Sequence, residues 1–165
     1  MSHNNYIIDT ELSEFMESDV AMLLASSNSS NQPVISRGFG ARVSDDCSQI
    51  TVYVTDIQAK VLIDNIQDNR HIALNGARVT NYESYQLKGT DARLCELNIK
   101  DKRHIDQYCI GLVKELKKVG VPEQQARALF QSMEEGKLMG IKFTVSEVYC
   151  QTPGAGAGEA RKSSA

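Results

Sequence analysis

Three short strand-like runs follow one another early in the chain with only brief polar turns between them, and this spacing restricts the fold more than any other feature. Residues 21–26 are a dense apolar run closed by the polar stretch SSNSSNQP. A second run, 34–43, opens after Pro33. The acidic turn Ser44-Asp45-Asp46 then leads into residues 49–55, where Ile50, Val52 and Val54 alternate with Thr51, Tyr53 and Thr55. That alternation is the period of a half-buried strand. A parallel crossover needs about a dozen residues or more, so turns this short predict an antiparallel meander.

Past Thr55 the period changes. Ala59, Leu62, Ile63 and Ile66 fall on one side of a helix, with Asp56 as its N-cap and Asp68-Asn69 at its end. Residues 71–77 return to strand character, and 84–97 read as one long strand with Gly89 inside it, where a bulge or a close backbone approach is expected. From Asp101 the stripe Ile105, Tyr108, Cys109, Leu112, Val113 and Leu116 predicts a helix that stops at Gly120. Pro122 starts a second helix, with Ala126, Leu129, Phe130 and Met133 on its apolar face and Gly136 at its end. A last strand covers 138–150. Ahead of all this, Thr10 caps a short helix to Met16, read as an N-terminal flap. The expected organisation is one domain over 1–150 with a helical insertion at 101–135, then a Gly/Ala-rich flexible tail over 151–165.

Charge and motif content remove several classes of function. Eighteen basic against 21 acidic side chains leave a net charge of −3, so no bulk positive field draws nucleic acid or an anionic membrane. The start MSHNNYIIDTELSEF carries neither a basic cluster nor a long apolar run, and no stretch is long and apolar enough to span a bilayer. The expectation is a soluble cytoplasmic protein. Cys47, Cys95, Cys109 and Cys150 lie far apart and read as reduced thiols. His3, His71 and His104 stand in no nucleophile motif, and Gly154, Gly156 and Gly158 belong to a tail without the strand and helix of a nucleotide fingerprint.

The chemically informative segment is Arg37-Gly-Phe-Gly-Ala-Arg42. Guanidinium groups suit phosphate, and the glycines let a flat ligand approach the backbone. A spacing of five puts the two arginines on opposite faces of a regular strand, so a bulge at Gly38 or Gly40 is required to bring both to one ligand. The other reading is two solvent-exposed arginines beside a twist-relieving glycine pair. Thr55, ending the next strand, and Lys60, in the first turn of the helix that follows, add a hydroxyl and an ammonium where helix N–H groups are free.

This ordered set, together with SYQLKGTDARL, resembles the pyridoxamine 5′-phosphate oxidase-like family of FMN-binding split barrels over residues 20–97. The resemblance implies an α+β fold built on a six-stranded antiparallel split barrel, here with a helical hairpin inserted. It implies FMN as cofactor, held by Arg37 and Arg42, by the backbone of Gly38, Phe39, Gly40 and Ala41, by Val54 and Thr55, and by Lys60. Val61 stands where the family has a second basic residue, and Ser84 where it has a glutamine that reaches the flavin ring. The family's C-terminal tryptophan has no counterpart, since the chain contains no Trp. The resemblance therefore implies the cofactor without the vitamin B6 reaction. It further implies a homodimer with cofactor sites at the interface and an oxidoreductase acting on a small molecule. The alternative is a non-catalytic sensor or storage module holding a flavin, a deazaflavin or haem; an interaction domain without cofactor is the third reading.

Overall fold

A computed structural model describes residues 8–162, and His3 lies outside them. Helix α1 (Thr10–Glu17) comes first, and its N-cap is Asp9 rather than Thr10. The Asp9 carboxylate accepts from Leu12 N at 2.9 Å and so satisfies a donor of the open first turn. The helix is not a flap, because Leu12, Phe15 and Met16 are buried in the common core. Gly76 makes room for it: a Cβ there would stand 2.9 Å from the Met16 sulfur.

The order continues with β1 (Ala21–Ser27), β2 (Pro33–Gly38), β3 (Ala41–Val43), β4 (Gln49–Thr55), α2 (Lys60–Asn69), β5 (Ile72–Ala77), β6 (Ser84–Gly89) and β7 (Arg93–Cys95). Then come α3 (Ile99–Lys118), α4 (Glu123–Ala128), α5 (Ser132–Glu135), β8 (Leu138–Thr144) and β9 (Glu147–Cys150). All strand pairs are antiparallel, as the short turns require. They form one sheet in the order β2-β1-β5-β6-β9 and a second in the order β3-β4-β8-β7. Met22, Leu24, Val52, Leu74, Ile141 and Phe143 are fully buried between them.

Among the described residues, nine strands in two sheets replace the expected six, and the ladder does not close into a barrel. Three runs expected as single strands each bend and pass from one sheet to the other. At the β2–β3 corner, Phe39 N–H donates to Tyr53 O at 2.8 Å while Tyr53 N–H donates to Gly40 O at 3.0 Å. Two residues thus oppose one, the definition of a bulge, and Gly40 takes φ +96°. At the β6–β7 corner Gly89 ends its strand, and a Cβ on it would meet Thr144 O at 2.8 Å. This is the expected close backbone approach. The Asp91 carboxylate fastens the same corner by accepting from Thr144 N and Oγ1 at 2.8 and 2.7 Å.

Ala59, Leu62, Ile63 and Ile66 are buried, so the helical stripe packs inward as expected. Asp56 does not cap α2: the N-cap position is Ala59, which carries no side-chain hydrogen bond. Asp56 instead accepts from Lys137 N at 2.7 Å and ties the turn to β8. In the insertion α3 starts two residues before the expected Asp101, because Asn98 and Asp101 form a reciprocal capping box. The second helix divides into α4 and α5. After β9 the chain turns back: Gly158 N–H donates to Cys150 O at 2.7 Å and Arg161 N–H to Val148 O at 2.8 Å. Arg161 also bonds Asp9 and Glu11, each at 2.8 Å. Among the described residues no helix is long and apolar enough to cross a membrane.

Candidate functional site

The bulge at Phe39–Gly40 absorbs one residue of the five-residue spacing, so Arg37 and Arg42 both remain on the outer side of the bent strand. They do not converge. Arg42 Nη1 lies 3.1 Å from Asp101 Oδ1 of α3. The same carboxylate accepts from the Tyr53 hydroxyl at 2.8 Å and from Asn98 N at 2.9 Å. Burial alone would raise the Asp101 pKa, but Asn98, Tyr53 and Arg42 together hold it below the ordinary carboxylate value. Burial and the Asp101 bond push the Tyr53 phenol far up.

Helix α3 also covers the ledge expected to meet a flat ligand. A Cβ on Gly40 would stand 3.1 Å from Tyr108 Cγ and 3.5 Å from His104 Cδ2. Tyr108 is pinned there by donating to Val20 O at 2.9 Å. Phe39 is fully buried, with its ring 6.1 Å from that of Phe130 in the α4–α5 link. Ala41 and Val54 are fully buried as well. His104 Nε2 is buried without a hydrogen-bond partner among the described residues. Its pKa is lowered, chiefly by burial, against the opposing pull of Glu17.

Arg37 has the opposite surroundings. It is half-buried, and its side chain makes no hydrogen bond or ion pair among the described residues, though its charge opposes the burial that raises the Tyr108 pKa. The strand register sets it in a row with Leu23, Asn75, Gln86 and Tyr149 across the outer face of the five-stranded sheet. On that face Leu23 and Ile35 are 43% and 65% exposed. Strand β4 meets the bent β2–β3 segment at the bulge, where Phe39 N–H donates to Tyr53 O, and Thr55 lies two residues further along β4, paired with Leu138 of β8. Thr55 is fully buried, and its Oγ1 has no partner among the described residues. Helix α2 begins five residues on, uncapped, with Lys60 in its first turn. Lys60 is exposed and bridges to Asp64 at 3.1 Å.

The structure thus sets Thr55 just ahead of the start of α2, keeps Arg37 on the five-stranded sheet opposite Leu23, and closes Arg42 onto Asp101. Ser84 is buried; its N–H donates to Thr152 Oγ1 at 3.0 Å and its carbonyl accepts from Gln151 N at 2.8 Å. Gln86, two residues on, is the one that shares the Arg37 row. Sequence reasoning missed Gln86, Asn75, Asp101 and His104. Outward alternation along β5 and β6 was a usable signal for the first two, whereas the Arg42–Asp101 contact spans 59 residues and left no local trace. Exposed His71 takes no part in either cluster. Among the described residues no group of side chains could hold a metal ion.

No family model matches the sequence, and no curated protein matches it. Solved structures do. Group A Streptococcus HupZ is 18% identical with a TM-score of 0.54, over 92% of this chain and 99% of that one. A candidate pyridoxamine 5′-phosphate oxidase from Lactobacillus delbrueckii is 14% identical with a TM-score of 0.53, over 88% and 95%. An F420 reductase is 12% identical with a TM-score of 0.53, over 82% and 93%. The nine bent strands and their helices are thus the fold of the pyridoxamine 5′-phosphate oxidase-like proteins.

Proposed function

We propose that this chain is a divergent member of that family which binds FMN and acts as an oxidoreductase on a small molecule. One observation carries the reading: the buried Thr55 hydroxyl, unpartnered among the described residues, lies just ahead of a helix start that no side chain caps. A phosphate monoester fits that end, where Thr55 offers a hydroxyl and α2 both its first-turn N–H groups and Lys60, and Arg37 is assigned to the same anion as a guanidinium fork. The ledge of Gly38–Ala41 fits less well, because Tyr108 and His104 lie on it. The ring is therefore assigned to the row beside Arg37, with the Asn75 and Gln86 amides as its polar contacts. A second copy of the chain would cover Leu23 and Ile35, completing the site at a homodimer interface and excluding water from it.

Bound FMN supplies hydride or single-electron transfer. The chain's share is to anchor the phosphate, fix the ring plane by the two amides and keep the face dry. A second reading, a binding module without turnover, is favoured by Arg42 being closed onto Asp101.

Fluorescence titration with FMN and with riboflavin tests the assignment. Wild-type protein should prefer FMN, and Arg37→Ala with Lys60→Ala should weaken FMN by about tenfold or more while leaving riboflavin unchanged. Wild-type protein that takes up no FMN on reconstitution overturns the reading. Reduction by a nicotinamide donor and reoxidation at a catalytic rate separate the enzyme from the module.

A further inference from the structure

At the edge of the four-stranded sheet, between β7, the start of β8 and the first turn of α3, lies a cleft of about 580 Å³. Leu94, Leu97, Leu138 and Met139 line it, each half-buried against the core, so the floor is apolar. Lys102 and Lys137 stand at its border, and neither ammonium makes an ion pair among the described residues. Glu96 is the only carboxylate of the lining, so the balance of charge is positive. The volume is in the range of small-molecule sites, about 300–1,000 Å³, and an apolar floor with a few convergent charges is their usual make-up.

From this we infer a second binding site, for a medium-chain organic carboxylate whose tail lies on Leu94, Leu97, Leu138 and Met139 and whose headgroup meets Lys102 and Lys137. A neutral chain would gain the apolar contacts but leave two ammoniums unpaired. An organic cation would be repelled by both. The cleft shares no lining residue with Arg37, Thr55 or Lys60, although it borders the Thr55 end of β4 through Leu138, the cross-strand partner of Thr55, so the probe is titrated both with and without FMN.

Octanoate is the probe, titrated calorimetrically into full-length protein with and without FMN. Saturable binding at one molecule per chain is expected in both cases, weakened about tenfold in octanol, which has the same tail without the charge. Lys102→Gln with Lys137→Gln should produce a similar loss; both side chains are exposed, so the fold should tolerate the change. Cys95 also lines the cleft, so octanoate should slow its alkylation by iodoacetamide, read by peptide mass spectrometry, without slowing that of Cys47. Absence of saturable octanoate binding, equal affinity for octanol, or an unprotected Cys95 would each overturn the assignment. Failure of FMN to bind would leave these results unchanged.

Discussion

Helix α3 closes over the four-stranded sheet where Tyr53 meets Asp101, whereas the outer face of the five-stranded sheet leaves Leu23 and Ile35 exposed. Under the cover, Tyr53 and Asp101 are buried, and every oxygen-bearing group of the Arg42–Asp101–Tyr53 cluster has a partner. On the bare face the Arg37 row carries Leu23, Asn75 and Gln86, with no ion pair among them. The two arginines, alike in sequence, therefore differ in role. Arg42 is a strut between sheet and insertion, whereas Arg37 carries no ion pair among the described residues. A face with exposed leucine and isoleucine and few charges is the kind of surface that a partner covers.

The largest expected effect lies on the covered side. Asp101→Ala removes the partner of both Tyr53 and Arg42 together with half of the α3 capping box. It should destabilise the protein by about 3 kcal/mol in urea unfolding, as losing one member of a buried ionic network does. A change below about 1 kcal/mol would mean that the insertion is not held by this cluster. On the bare side, Leu23→Asp with Ile35→Asp should leave the fold intact and raise the dissociation constant of the proposed homodimer by about a hundredfold or more, read by light scattering across a dilution series. An unchanged dimer, or a monomeric wild type, would break the contrast between the faces.

How much of this could be read from the sequence follows from range. The α2 stripe and the need for a bulge near Gly38 or Gly40 are local features, and each has its counterpart in the structure; β4 is a strand as its alternation predicts, but it is buried on both faces from Val52 to Thr55 rather than half-buried. The three corners were not legible as strand breaks, because 33–43, 84–97 and 138–150 each keep strand character through the bend. Only packing across the molecule, such as Gly89 against Thr144, marks where the chain changes sheets. Likewise Thr10 and Asp56 are good capping residues by type, yet Asp9 caps α1 and Asp56 serves β8. Arg37 and Arg42 were recognisable as a pair, but α3 decides which of them stays open, and α3 lies some sixty residues downstream.

His104 supplies a smaller, pH-dependent handle on the cover. Burial depresses its pKa in the folded state, so below the unfolded value of about 6.5 the unfolded chain takes up a proton that the folded chain resists. Stability should accordingly fall as pH drops from about 7 to 5, by no more than about 1.4 kcal/mol per unit from this group. Asp101 acts in a separate window: its depressed pKa contributes stability that is lost only as pH falls through its folded value, below the usual carboxylate range. Urea midpoints at several pH values should show the first slope in wild type and lose it in His104→Gln. A slope that survives the substitution would assign it to another group.

The smallest stability effect should come from Lys60, and it separates anchoring from folding. Lys60 and Asp64 form an exposed i,i+4 pair with side chains 74% and 55% accessible, a geometry worth about 0.5 kcal/mol or less. Lys60→Ala should therefore leave the urea midpoint almost unmoved. If α2 receives a phosphate, the same substitution lowers the preference for FMN over riboflavin, since only FMN carries the charge that the ammonium meets. Arg37→Ala should lower that preference further, because a guanidinium fork bonds phosphate through two donors at once. A Lys60→Ala variant with unaltered FMN preference and an Arg37→Ala variant without it would place the phosphate on the bare sheet face alone, away from the helix.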